Sequence, residues 1–137
     1  NNEKVKEKTL TSSDYFSEEI GDLKEGNNEI YIKGKSEDGK IVKQTKKFSV
    51  FYKKNPPKLI IHEPENKSST SQSEIKIKGS TDKETFIKIN DFPVVVDADA
   101  NFETSLRLRQ GENTIIIVAE DQAGNLEEKN ITVTYQP

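Results

Sequence analysis

The chain of 137 residues has no cysteine, no methionine, no tryptophan and only one histidine. Without cysteine there is no disulfide, no thiol nucleophile and no thiolate ligand for a metal, though export is not excluded. His62 has no second imidazole to share a metal with, and no Ser–His–Asp spacing accompanies it. A lone histidine after a short apolar run reads as a surface or packing residue. The missing tryptophan removes the largest flat face available for stacking on a sugar. No apolar run approaches the ~20 residues of a membrane-spanning helix. The opening Asn1-Asn2-Glu3 has neither Met nor a signal-like segment, so the chain reads as a piece of a longer exported protein. An excess of one charge is lacking too. The net charge is −3, and the basic pairs Lys46-Lys47 and Lys53-Lys54 are short. Nucleic acid needs a concentrated basic surface and is excluded as a partner.

Charged residues make up 33% and apolar residues 31% of the chain, against roughly 25% and 45–50% in average globular domains. The apolar residues are concentrated as Ile and Val at period two, the pattern of strands buried on one face. A thin sandwich tolerates so low an apolar fraction because much of a small domain is surface.

Read along the chain, Val5 and Leu10 precede a Thr11–Asp14 turn cluster, and Phe16, Ile20 and Leu23 predict a strand. Ile30 and Ile32 share one face of the next strand, and Ser36–Gly39 carries the Asp-Gly pair of a tight hairpin. Phe48, Val50 and Tyr52 finish the return strand. Pro56-Pro57 marks a short, stiff linker, which divides the chain into units 1–54 and 55–137. In the second unit, strands are predicted at Leu59–Ile61, Glu74–Lys78, Phe86–Ile89 and Val94–Val96. Phe102–Leu108 and the hairpin Gly111–Tyr135 follow, with Glu63–Ser73 read as a loop. About seven short strands with turns between them predict a β-sandwich.

The hairpin occurs twice. Gly26, Asn28, Ile30, Ile32 and Gly39 align with Gly111, Asn113, Ile115, Ile117 and Gly124. After two extra residues, Phe48, Val50 and Tyr52 align with Ile131, Val133 and Tyr135. Upstream, Leu10, Phe16 and Ile20 align with Val96, Phe102 and Leu106. A repeat of this length indicates tandem domains of one fold. The first has no counterpart of the strands at Leu59, Ile75 and Phe86, so its apolar face lacks a partner sheet. Exposing such side chains costs about 1.5–3 kcal/mol each. Either the missing strands have been cut away, or another copy of the chain covers the face of residues 16–52.

Pro56–Tyr135 resembles a bacterial immunoglobulin-like domain of the glucodextranase B type. The resemblance is carried by Pro57-Lys58-Leu59, by Ile75–Thr81, by Phe86–Asn90, by Val96–Phe102 and by Ala119–Asn125. It implies an all-β, immunoglobulin-like β-sandwich in tandem, the first module incomplete. Such modules act as spacers, stalks, adhesin repeats and accessory domains beside catalytic ones, at the bacterial surface or outside the cell. Where the pattern usually has Gly in the Asp-x-Asp turn, this chain has Ala100, which weakens the expectation of a left-handed turn there.

Candidate chemistry is sparse. Asp97–Asn101 resembles the front of a calcium loop, but Phe102 and Leu108 stand where Gly and Glu are required. That stretch, like Asp121–Asn125, reads as a turn satisfied by its own Asp side chain. No carboxylate pair is set up for acid–base work, so a non-catalytic module without cofactor is expected. Tyr31, Phe51 and Phe92 lie off the core stripe and are the candidate contacts for a ligand. The leading expectation is a spacer or adhesion scaffold whose partners are neighbouring modules. The competing one is an accessory module that binds a glycan or a surface protein.

Overall fold

The computed structural model describes Thr9 and residues 17–137. The readings placed on Val5, Leu10, the Thr11–Asp14 turn and Phe16 lie outside the described residues. Those described form twelve strands and no helix.

The larger part is a two-layer sandwich. One layer has the order β10-β7-β5, made of β5 (Leu59–Glu63), β7 (Glu74–Thr81) and β10 (Asn101–Arg107). The other has the order β6-β12-β11-β8-β9. Its strands are β6 (Ser68–Thr70), β8 (Thr85–Ile89), β9 (Phe92–Val94), β11 (Gly111–Asp121) and β12 (Leu126–Tyr135). The alternation seen in the sequence becomes the core. Leu59, Ile77 and Phe102 from the first layer meet Ile87, Ile89, Ile115, Ile117, Ala119, Ile131 and Val133 from the second. Ile77, Ile115 and Ile117 are fully buried, each worth about 1.5–3 kcal/mol relative to exposure.

Three of the four sheet edges of the sandwich are blunted against further pairing. β9 carries Pro93, β5 is bulged between Ile61 and Glu63, and β6 is three residues long. Strand β6 lies inside the stretch expected to be all loop. It pairs in parallel with β12 through Ser68–Thr70, a polar segment with no apolar alternation to reveal it. The expected strand Val94–Val96 is shifted: β9 ends at Val94, and Val96 forms an isolated bridge to Phe102.

The earlier hairpin is built from β1 (Gly26–Ile30), β2 (Lys33–Lys35), β3 (Val42–Gln44) and β4 (Phe48–Tyr52). Its register reproduces that of the later one. Gly26 faces Tyr52, Asn28 faces Val50 and Ile30 faces Phe48. Gly111 faces Tyr135, Asn113 faces Val133 and Ile115 faces Ile131 in the same way. The two extra residues are absorbed separately. One enlarges the turn between Lys35 and Val42; the other forms a bulge at Thr45–Lys47, where Thr45 Oγ1 takes the Ile32 N–H at 3.0 Å.

The two hairpins differ in what covers them. Ile115, Ile117, Ile131 and Val133 are buried, whereas the matching Ile32 and Phe48 are each 46% exposed. Residues 17–24, expected to form a strand, do not. In the sandwich the aligned strand β10 pairs with β7, and among the described residues no counterpart of β7 lies beside residues 17–24.

Candidate functional site

The polar residues that stand out in the sequence sit at turns of the sandwich and of the earlier hairpin, and most of their hydrogen bonds go to nearby backbone. Asn113 is the clearest case. Its Oδ1 accepts the Arg109 N–H at 2.8 Å, and its Nδ2 donates to the Arg109 and Gly111 carbonyls at 2.8 and 2.9 Å. Two carbonyls turn toward one side chain because Gly111 takes φ +92°, open to glycine at no steric cost. Asn28 makes the same contacts with Lys24 and Gly26 at 2.7–3.0 Å, with Gly26 at φ +96°. This clasp is why each copy opens with Gly and then Asn.

At Asp97 the carboxylate Oδ1 accepts the N–H groups of Asp99 and Asn101 at 2.9 and 2.8 Å. This turn is left-handed at Ala100, at φ +64°. The absence of Gly therefore does not prevent the turn, contrary to the sequence expectation. The two Asp97 bonds and the Ala100 N–H to Asp97 carbonyl bond at 3.0 Å hold it closed.

Asp121 is buried. Its Oδ1 accepts the N–H groups of Ala123 and Asn125 at 2.9 and 3.0 Å. Its Oδ2 takes Asn125 Nδ2 at 3.1 Å and lies 3.5 Å from Lys53 Nζ. Burial pushes this carboxyl up. The Asn125 side-chain bond, the two backbone N–H bonds and the Lys53 ammonium outweigh it and hold the group below the ordinary value. In the earlier hairpin Ser36 occupies the aligned position and its hydroxyl takes the Ile41 N–H at 2.9 Å.

The aromatic candidates are placed on different elements. Phe51 is on β4, 43% exposed, paired with Asn27. Tyr31 follows β1 and is half-buried. Phe92 is 74% exposed on β9 of the five-stranded sheet. Sequence reading passed over Phe86, which is 66% exposed on β8. Its alternation with Ile87 and Ile89 marks it as outward. His62 accompanies Ser80 at 3.1 Å on the exposed side of β5 and β7. It also borders a shallow open groove with Pro64, Asn66 and Lys129. Among the described residues, no group of three or more His, Asp or Glu side chains is arranged to hold a metal.

Part of the chain is similar to a short stretch of much larger bacterial proteins. The chain is 34% identical over 71 residues to the PII-type proteinase of Lacticaseibacillus paracasei, covering 50% of this chain and 4% of that protein. The PIII-type proteinase of Lactococcus lactis subsp. cremoris matches with the same identity and coverage. The chain thus spans a small part of the length of these relatives. In fold it is similar to the fibronectin(III)-like modules of Clostridium thermocellum CbhA. That similarity has a TM-score of 0.52 at 12% identity and covers 83% of this chain and 64% of that one. The family model described as glucodextranase, domain B, matches residues 57–136. With more than half its length so matched, and with an immunoglobulin-like sandwich built from that stretch, the chain belongs to the glucodextranase domain B family.

Proposed function

We propose that the chain is a non-catalytic part of a larger exported bacterial protein, in which tandem immunoglobulin-like modules act as a spacer or scaffold at or beyond the cell surface. The observation that carries this reading is the hairpin repeated with one register and one Asn clasp. A unit repeated along a chain serves extension, because each copy adds length without adding chemistry. The self-satisfied turns at Asp97 and Asp121 support it, since they leave no side-chain pair poised over a substrate. Location outside the cell rests on the relatives being bacterial proteinases and on the glucodextranase family.

A glycan array probed with the whole chain, together with a pull-down using the longer protein, tests the reading. A spacer gives no saturable binding on the array. Reproducible glycan binding that is lost on Tyr31→Ala or Phe92→Ala replaces it with the accessory binding module.

A further inference from the structure

Between β4 and β5 a single peptide unit is held from both sides. The Lys54 N–H donates to Glu25 Oε1 at 3.2 Å. The Lys53 carbonyl, the other half of the same peptide bond, accepts from Asn125 Nδ2 at 2.9 Å. In a trans peptide these groups point in opposite directions. Glu25 precedes β1, and Asn125 stands at the foot of β12, so the earlier hairpin and the sandwich each grip one side.

The Lys53 side chain adds a second hold. Its Nζ lies 3.5 Å from Asp121 Oδ2 and 3.9 Å from Asp82 Oδ2. Asp82 also accepts the Lys58 N–H at 3.1 Å, the Lys58 carbonyl accepts Thr81 Oγ1 at 2.8 Å, and Pro57 is fully buried. The segment from Lys53 to Lys58 is therefore tied down at both ends.

We infer that the Lys53–Lys54 peptide is a clamped hinge. Glu25 and Asn125 grip it, the Lys53 ammonium sits between Asp82 and Asp121, and together they set the direction in which the β1–β4 hairpin leaves the sandwich. The ammonium component is screened by salt, because Lys53 and Asp82 are partly exposed. The two bonds to the peptide unit depend on geometry more than on charge. High salt thus loosens the clamp without releasing it.

The clamp goes beyond the spacing role and fails independently of it: modules joined flexibly still act as a spacer, and a bound glycan leaves the hinge as it is. Absence of native cysteine makes site-specific labelling direct. Nitroxide labels at Lys43→Cys and Thr114→Cys, both exposed positions, report the distance between hairpin and sandwich by pulsed electron resonance on the whole chain. The expected result is one narrow distance distribution. Glu25→Ala combined with Lys53→Gln widens it at least twofold, and about 1 M salt widens the parent more than a Lys53→Gln variant. Asn125→Ala widens it as well. Asn125 also serves the Asp121 turn, so the Glu25 and Lys53 variants, whose side chains lie outside the core, carry the decision. A width unchanged in the Glu25→Ala, Lys53→Gln chain with its circular dichroism intact overturns the clamp. So does a parent distribution already as broad as that of the variants.

Discussion

Glu25 and Asn125 bond the two halves of the same peptide group, at 3.2 and 2.9 Å, from opposite ends of the sequence. Asp121 helps to orient Asn125 toward that carbonyl: the same Nδ2 donates to Asp121 Oδ2 at 3.1 Å. The turn that closes the later hairpin and the joint that precedes the sandwich are thus one hydrogen-bonded unit.

Acid should loosen this unit. The Asp121 carboxyl lies below its ordinary value of 3.8 in the folded chain, because its hydrogen bonds and Lys53 outweigh the opposing effect of burial. The unfolded value is the higher of the two. The stabilisation is therefore fully present above the ordinary carboxylate range and is lost as pH falls through the lowered folded value. Asp121→Ala is expected to cost about 2–3 kcal/mol at neutral pH, the worth of buried bonds to a charged acceptor. It should also flatten the acid limb of stability against pH, measured by urea unfolding.

Ala100 pays a steric cost at φ +64°. A left-handed non-glycine residue costs about 1–2 kcal/mol, partly offset by the greater chain entropy glycine loses on folding, about 0.5–1 kcal/mol. Ala100 is also buried, and losing its methyl costs about a further 0.8 kcal/mol. Ala100→Gly should therefore change stability by less than about 1 kcal/mol, and Tm by less than roughly 6 °C for a domain of this size. Thermal unfolding followed by circular dichroism reads it.

Gly79 has the opposite constraint. A Cβ there would lie 2.3 Å from Phe102 Cζ and 2.5 Å from the Ile60 carbonyl oxygen. The ring can shift, but the backbone oxygen of the neighbouring strand cannot. Gly79→Ala should cost roughly 3 kcal/mol by overpacking. Adding Phe102→Leu should recover less than half of that. Chemical denaturation of the single and double variants measures both values.

Thr85 faces Asp121 across β8 and β11, and its buried hydroxyl has no hydrogen-bond partner among the described residues. Valine has nearly the same shape without the polar atom. Thr85→Val is expected to stabilise the chain by about 1 kcal/mol, read as a raised urea midpoint at unchanged slope.

Strand existence and facing were legible wherever Ile and Val alternate against a buried face, as at Ile75–Ile77, Ile87–Ile89 and Ile115–Ala119. The register of the repeated hairpin was legible at its open end, because Gly and Asn at fixed spacing encode the clasp rather than mere hydrophobicity. The two extra residues, read as both in the return strand, divide between the turn and a bulge. Strand β6 was hidden because Ser68–Thr70 joins the sheet through backbone bonds alone. Residues 17–24 misled for the converse reason: Ile20 and Leu23 keep the pattern of a strand, but a strand needs a neighbour to pair with. The left-handed Ala100 was underestimated because the Asp97 carboxylate, not the residue at the turn, holds that backbone closed. The joint was legible only as a pair of prolines. The bonds that fix it connect residues 72 and 29 positions apart, beyond any local pattern.

The most direct test of the spacing role is replacement within the longer protein proposed to carry this chain. Residues 57–136 are exchanged for an unrelated β-sandwich of equal end-to-end length, and the surface activity of that protein is measured beside a variant in which the same residues are deleted. The account predicts activity retained on exchange and reduced on deletion. Activity lost on exchange to the same extent as on deletion contradicts it, because the sandwich would then supply a specific contact and not distance.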